Sequence, residues 1–216
     1  MNNGNRKKLY IAICLLAAFI FWTAAVQLVD VHPIGPQGSY VGFALLNGSI
    51  HHLTGVHMTL YTVTDLLGLI PIAFMLGFAL LGLLQLIKRK HLLNVDRSIL
   101  VLGGFYLIVL ATFLLFEVFV VNYRPVLIEG YLEVSYPSST TMLVMCVMPT
   151  AMMQLRTRIK NRILRIFTMC TIDTFIAFMV IGRLISGVHW FTDIVGGALL
   201  STGLVLLYDF TCNLVD

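Results

Sequence analysis

Near the end of the 216-residue chain lie three residue types that can act together on a phosphate group: Arg183, His189 and Asp193. If the chain is helical from Trp190 onward, His189 and Asp193 lie one turn apart on the same face. The carboxylate could then accept a hydrogen bond from one imidazole nitrogen and leave the other free as a nucleophile or base. Arg183, at the end of the preceding helix, could hold a phosphate in front of that nitrogen. We therefore expect the chemistry of the protein in this stretch.

The composition predicts that helices embedded in a membrane position these residues. Of the 216 residues, 59% are hydrophobic and only 11% are charged, a much lower charge content than soluble domains have. Several apolar runs reach the roughly 20 residues that are needed to cross a bilayer. We expect an all-α fold, a six-span transmembrane helical bundle that forms one integral membrane domain over residues 1–216.

Polar or charged residues bound each apolar run. The first run follows Arg6, Lys7 and Lys8 and is too long for a signal peptide. Pro71 is expected to kink the second span, and a short interfacial helix is expected between spans one and two. The spans are predicted at about Leu9–Val29, Leu60–Ile87, Ile99–Val121, Ser138–Leu155, Ile166–Ile181 and Trp190–Tyr208, and the interfacial helix at Tyr40–Leu53.

The placement of basic residues predicts the orientation in the membrane. Of 14 Lys and Arg residues, three precede span one, four lie between spans two and three, and five lie between spans four and five. The positive-inside rule puts these connections and both termini in the cytoplasm of a plasma-membrane protein. The net charge of +4 is therefore explained by topology and does not indicate nucleic-acid binding. The two remaining residues, Arg124 and Arg183, lie on the outer side, where a shared anionic ligand is the simplest explanation.

Two other outer segments complete a recognisable pattern. Residues 117–125 end span three, and residues 135–141 begin span four. Together with residues 182–193 they resemble the type 2 phosphatidic acid phosphatase superfamily, which is related to the vanadium haloperoxidases. That family carries Lys, six residues and Arg-Pro, then Pro-Ser-Gly-His, and then Ser-Arg, five residues, His, three residues and Asp. The resemblance covers about Glu117 to Asp193, and the six spans fit the membrane members of the family.

The sequence departs from this pattern at four positions. Glu117 stands where the family has a phosphate-binding lysine, and Thr140 stands where it has the histidine that protonates the leaving group. Ser139 replaces a glycine, and Gly182 replaces a serine. The matching positions are Arg124, Ser138, Arg183, His189 and Asp193.

The resemblance implies a role for each of these positions. His189, oriented by Asp193, would attack phosphorus to give a phosphohistidine that water then hydrolyses. Arginines would clamp the phosphoryl oxygens, and the helix that begins after Pro137 would present N–H groups to the same anion. This chemistry requires no metal and no other cofactor. The expected substrate-binding residues are Arg124, Ser138, Ser139, Thr140 and Arg183.

The absence of the family histidine at Thr140 predicts a substrate preference. A positioned general acid contributes roughly 10²–10⁴-fold to a rate, or about 3–5 kcal/mol of barrier. A threonine hydroxyl is too weak an acid to replace it, but a phosphate leaving group is stable without a proton. We therefore expect a membrane phosphatase that hydrolyses a lipid phosphate at the outer leaflet and prefers a prenyl or other lipid diphosphate.

Glu117 leaves two interpretations open. It precedes Arg124 by seven residues, so both side chains would face the same site on a continuous helix. A carboxylate beside a phosphate repels it, which favours either a protonated Glu117 that serves as a substitute acid or a lost function. Alternatively, Glu117 forms an ion pair with a neighbouring arginine.

Two other functions fit the sequence less well. One is a catalytically degenerate member of the family that binds or moves anionic lipids without turnover. The other is a small transporter of unrelated fold, which is disfavoured because no pair of spans shows inverted-repeat character. The sequence defines neither the lipid nor the oligomeric state.

Ionisable residues elsewhere in the chain have weaker signals. Four histidines of the outer loop have no spacing typical of a metal site and are expected to be polar interface residues: His32, His51, His52 and His57. Asp65 is expected to support the site from the outer end of span two. Asp173 is too deep in span five to reach the phosphate and is expected to make a buried structural hydrogen bond.

Overall fold

A computed structural model describes residues 3–215, and this part of the chain is almost entirely helical. The all-α class is confirmed. Single 3-10 turns at Pro36–Gly38 and Leu92–Asn94 lie in two of the connections. The helices are α1 (Asn3–Leu28), α2 (Ala44–Thr54), α3 (Met58–Leu67), α4 (Leu69–Arg89), α5 (Arg97–Val118), α6 (Ser139–Arg158), α7 (Arg162–Ile185) and α8 (Phe191–Val215).

Within residues 3–215, five helical stretches are long and apolar enough to cross a membrane, which indicates a multi-pass membrane protein. They are α1, α3 together with α4, α5, α7 and α8. The remaining predicted span is α6, which is less apolar because it carries threonines and a glutamine. This helix packs against α4, α5, α7 and α8, and its buried side chains include Thr150 and Gln154. Polar groups are tolerated in a spanning helix when they face the bundle interior, which explains the composition of α6.

The second predicted span is divided at Gly68, in the turn before Pro71, where α3 ends and α4 begins. A proline ring clashes with the carbonyl group four residues earlier, here that of Leu67, and it also lacks an N–H group. The helix is therefore interrupted in the turn before the proline. As a result α3 packs on α7, whereas α4 packs on α6.

The third predicted span also ends earlier than expected, at Val118 and not at Val121. Residues 119–138 form a loop with two short antiparallel contacts, Tyr123 with Val134 and Ile128 with Tyr131. Arg124 precedes a proline, and such residues disfavour the helical conformation. The helical argument that placed Glu117 and Arg124 on one face is therefore wrong.

The helix expected between spans one and two is present as α2. Its Asn47 is fully buried and joins α2 to the first turn of α8. The Asn47 Nδ2 group donates to the Gly42 carbonyl at 2.8 Å and to Thr192 Oγ1 at 3.0 Å. The backbone N–H of Thr192 donates to Asn47 Oδ1 at 3.2 Å. Helix α2 thus fixes the end of α8 where Asp193 lies.

The opposite end of α8 lies among basic residues. Lys8 at the start of α1 pairs with Asp209, and Arg97 at the start of α5 donates to the carbonyl of Val215 at 3.0 Å. The loops that contain Arg124 and His189 follow α5 and precede α8, so they lie at the other end of the bundle. This segregation agrees with the charge pattern of the sequence.

The expectation for Asp173 is wrong. The buried face of α7 contains Ile172, Met179 and Arg183, and Asp173 is rotated away from this face and is exposed. Within residues 3–215 its side chain has no hydrogen-bond partner.

Candidate active site

The candidate nucleophile lies in the short connection between α7 and α8. His189 is 3% exposed. Two residues earlier, Gly187 adopts a φ of +67°, which residues with a side chain rarely adopt. A Cβ atom at this position would lie 1.8 Å from the carbonyl oxygen of Gly55. The connection can therefore pack against the turn between α2 and α3 only with glycine at residue 187.

Asp193 lies in the first turn of α8, as the spacing predicted, but its contact with His189 is indirect. The Nδ1 atom of His189 is 3.7 Å from Asp193 Oδ2 and 3.1 Å from Ser135 Oγ. Ser135 in turn donates a short hydrogen bond to Asp193 Oδ2. The carboxylate also accepts from the Trp190 N–H at 2.8 Å and from Asn122 Nδ2 at 3.1 Å. These bonds hold it in one orientation.

Burial lowers the pKa of His189 to about 4 because a charged imidazole would be desolvated. The nearby carboxylate of Asp193 opposes this shift, while the positive charges of Arg124 and Arg183 lower the pKa of His189 further. The imidazole is therefore neutral at pH 7 and can act as a nucleophile. Its Nε2 atom is buried and has no hydrogen-bond partner within residues 3–215.

Arg183 lies in the last turn of α7 and is 1% exposed. Its Nη1 group donates to Thr64 Oγ1 at 3.4 Å, and its Nη2 atom lies 3.6 Å from Asp65 Oδ1. The guanidinium carbon is 4.8 Å from the centre of the Tyr61 ring, within the range of a cation–π contact. Three residues of α3 thus position Arg183, and Asp65 is one of them, as the sequence predicted.

Arg124 reaches the same tyrosine from the loop after α5. Its guanidinium carbon is 5.7 Å from the centre of the Tyr61 ring. Its Nε atom lies 3.1 Å from Glu133 Oε2, and its Nη1 atom is buried without a hydrogen-bond partner in the described residues. The structure therefore brings Arg124, Arg183 and His189 to one end of the bundle, with polar atoms that can still accept or donate a hydrogen bond.

The start of α6 lies next to the first turn of α8, which contains Asp193. The N–H of Ser138 donates to the carbonyl of Asp193 at 3.2 Å, and its hydroxyl accepts from the N–H of Thr141 at 3.4 Å. The hydroxyl of Ser138, which the sequence assigned to the substrate, therefore caps the helix. The N–H groups at Ser139 and Thr140 have no intrahelical partner, and such groups favour anions.

Tyr136, which precedes α6, packs directly on α8 at Gly196. A Cβ atom at Gly196 would lie 2.6 Å from the Tyr136 ring, so this close contact requires glycine.

Two cavities meet at this end of α6. One, of about 390 Å³, is lined by Glu117, Arg124, Glu133 and Ser135, among others. The other, of about 410 Å³, is lined by Thr140, Asp65 and apolar residues of α4 and α5. The two cavities share Phe113, Ser139 and Met142. Glu117 thus faces the cavity of Arg124, whereas Thr140 faces the other cavity.

The ion pair that was one interpretation of Glu117 is not formed. Arg124 pairs with Glu133, and no ion pair of Glu117 occurs in the part of the chain that the structure describes.

Sequence reasoning missed four residues that shape the site: Tyr61, Asn122, Glu133 and Ser135. Asn122 lies two residues before Arg124, and Ser135 lies two residues before Pro137; both Arg124 and Pro137 belong to the family pattern. Polar residues so close to the pattern are a signal that could have been followed. Tyr61 and Glu133 have no such signal, because only the packing of α3 and the folding of the 119–138 loop bring them to the arginines.

Comparisons with known proteins agree with this geometry. The model of the PAP2 superfamily matches residues 119–209, which contain every matching motif position. The fold is similar to the crystal structure of the first transmembrane PAP2-type phosphatidylglycerolphosphate phosphatase from Bacillus subtilis, with a TM-score of 0.65 and 19% sequence identity. That likeness covers 96% of this chain and 98% of the other. A comparison with curated proteins gave no match. The chain is therefore similar to the PAP2 superfamily over residues 119–209, and its fold is similar to that of a transmembrane PAP2-type phosphatase.

Proposed function

We propose that this protein hydrolyses a lipid phosphate at the outer leaflet of the plasma membrane, with His189 as the nucleophile, and that it prefers lipid diphosphates. The observation that carries the proposal is the state of His189. Its ring is neutral, its Nδ1 atom is engaged, and its buried Nε2 atom has no partner among the described residues.

The reaction would proceed in two displacements. The Nε2 lone pair forms a bond to phosphorus while the bond from phosphorus to the leaving oxygen breaks, and that oxygen keeps the electron pair. Water then adds to phosphorus, the N–P electron pair returns to Nε2, and both protons of the water stay on the released phosphate. Arg124 and Arg183 would neutralise the charge on the phosphoryl oxygens in both transition states. No metal or cofactor takes part in these steps.

The preference for diphosphates rests on the leaving group. Thr140 cannot supply a proton, so a lipid alkoxide would leave slowly, whereas a lipid monophosphate leaves readily from a diphosphate. Without a general acid the expected deficit for monophosphate esters is roughly 10²–10⁴-fold. Prenyl diphosphates are therefore the substrate class to test first.

Glu117 is a second candidate for the acid. It lines the same cavity as Arg124, and in the protonated form it could donate to the leaving oxygen. In that case Glu117→Gln should lower the turnover of monophosphate esters about tenfold or more. An unchanged rate would end this role and leave the diphosphate preference as the sole compensation for Thr140.

The proposed orientation rests on the charges. Basic residues concentrate at the end of the bundle opposite to His189, and by the positive-inside rule this end would face the cytoplasm and the site would face outward. Cysteines introduced at the exposed residues His52 and Arg156 would test this in intact cells. A membrane-impermeant maleimide should label the first and not the second; the reverse pattern would contradict the orientation.

The decisive experiment measures phosphate release by the purified protein from farnesyl diphosphate, phosphatidic acid and phosphatidylglycerolphosphate, the last being named for the structural neighbour. We expect release from the diphosphate at least about tenfold faster than from the esters and none with His189→Ala. Equal rates would contradict the preference. Release that persists in His189→Ala would contradict the nucleophile, and no release from any lipid would favour a protein that binds or moves anionic lipids.

A further inference from the structure

A serine hydroxyl lies between the candidate nucleophile and its carboxylate. His189 Nδ1 is 3.1 Å from Ser135 Oγ but 3.7 Å from Asp193 Oδ2. Hydrogen bonds from N–H to oxygen usually span 2.7–3.2 Å, so the serine is within reach of the ring and the carboxylate is not. All three side chains are buried.

The direction of each hydrogen bond follows from counting protons. An ionised carboxylate only accepts, so the single hydroxyl proton of Ser135 must point to Asp193 Oδ2. The serine oxygen can then only accept from the ring, and the donor must be an N–H at Nδ1. A neutral imidazole has one such proton, so Nε2 carries the lone pair.

Asp193 cannot replace the serine without losing other bonds. Its Oδ2 atom also accepts from the Trp190 N–H at 2.8 Å, and its Oδ1 atom accepts from Asn122 at 3.1 Å. Ser135 is fixed through its backbone, because its own N–H donates to the carbonyl of Asn122 at 3.1 Å. Asn122 therefore helps to hold both the serine and the carboxylate in place.

We infer that Ser135 is a positioning residue that connects His189 to Asp193 and holds the imidazole in the Nδ1–H tautomer, so that Nε2 faces the phosphoryl group. This inference rests on the proposed function for its consequence in turnover. When the N–P bond forms at Nε2, the ring becomes positive while its Nδ1 proton stays in place. The hydrogen bond through Ser135 then transmits the stabilising charge of Asp193 to the ring.

A kinetic comparison tests the consequence. Ser135→Ala should lower kcat about 10- to 100-fold with little change in KM, while Ser135→Thr, which keeps a hydroxyl, should remain within about threefold of wild type. Ser201→Ala is the matched control, because Ser201 is also buried, its hydroxyl donates to the carbonyl of Met142, and it lies about two turns of α8 away from Asp193. Wild-type kcat in Ser135→Ala, or an equal loss in the alanine and threonine variants, would overturn the inference.

A second measurement reads the tautomer without any substrate. In protein labelled with ¹⁵N-histidine and held in detergent at pH 7, the signals of His189 are assigned by their loss in His189→Gln. We expect the proton on Nδ1 in the wild type and a shift toward Nε2 in Ser135→Ala. A proton on Nε2 in the wild type would overturn the inference. Because the wild-type result needs no turnover and no Ser135 variant, it separates failure of the serine contact from failure of the proposed function.

Discussion

The two sides of the candidate site differ in how completely their polar groups are paired. On the nucleophile side, His189, Ser135, Asp193 and Asn122 are buried and joined by hydrogen bonds that come from three segments of the chain. On the leaving-group side, Glu117 is exposed, and Thr140 faces a cavity different from that of Arg124.

The same division separates the residues that match the family pattern from those that depart from it. His189, Asp193 and the arginines match, whereas the residues at the positions of the family lysine and the family acid do not. A preorganised nucleophile lowers the barrier for every substrate, while a general acid matters only for poor leaving groups. Under the proposed function, loss on one side alone would change which substrate is hydrolysed and leave the mode of attack intact.

The strongest test of the nucleophile side is Arg183→Lys. The variant keeps the charge but loses the planar fork that lies between Thr64, Asp65 and Tyr61, and ammonium groups cannot reproduce its contacts. We expect kcat/KM for the best substrate to fall about 10²–10³-fold. Arg162→Lys, at the exposed start of α7, is the control and should have no effect. If both variants keep wild-type activity, Arg183 does not contact the phosphoryl group.

The leaving-group side can be sharpened by Thr140→His, which restores the residue type of the family. The cavity of about 410 Å³ beside Thr140 gives an imidazole space. We expect the rate with phosphatidic acid to rise about tenfold or more, with little change for farnesyl diphosphate. Thr140→Gln adds similar bulk without an acid of suitable strength. Similar rates in the two variants would show that proton donation does not limit the reaction.

The smallest expected effect is in the pH dependence of kcat/KM. Because the pKa of His189 is lowered to about 4, the neutral nucleophile persists well below pH 6.5 and the acidic limb should lie near pH 4. Removing a positive charge with Arg124→Gln should raise the pKa of His189 and move this limb to higher pH. A limb near pH 6.5 in the wild type would contradict the burial of the ring.

The His189 imidazole also makes the free energy of unfolding depend on pH. Its pKa is lower in the folded than in the unfolded chain, so the unfolded state binds the proton more readily as the pH falls below 6.5. Stability contributed by the neutral, buried ring is present above that pH and is lost as the pH falls toward 4. Between pH 6.5 and pH 4, the midpoint of thermal unfolding should therefore fall more steeply for the wild type than for His189→Gln.

The sequence predicted the elements that periodicity and charge specify. The helices, the position of α6 and the end of the bundle that contains His189, Arg183 and Arg124 follow from apolar runs and from basic residues at their ends. The prediction of a buried hydrogen bond for Asp173 was wrong, because the position of a residue along one helix does not say which face is buried. The prediction that Glu117 and Arg124 face one site assumed a continuous helix, but α5 ends between them. The loop that follows α5 nevertheless brings Arg124 to the cavity that Glu117 lines.

The contacts of the site that join distant segments could not be predicted in the same way. Ser135 and Asp193 are 58 residues apart, and Tyr61 contacts Arg124 and Arg183 from a helix that is distant from both in the sequence. Such contacts depend on packing angles and loop paths that hydrophobic periodicity does not contain. The sequence therefore predicted the functional groups but not the neighbouring residues that orient them.

The turn between α2 and α3 contacts the connection that holds His189 through backbone atoms. Gly187 packs against the carbonyl of Gly55, and the His57 N–H donates to the carbonyl of Ser186 at 2.9 Å. Backbone contacts cannot adapt by a change of rotamer, so a movement of α2 relative to the bundle would displace the imidazole as well. Under the proposed function, a partner that binds to α2 would therefore change the direction in which Nε2 points.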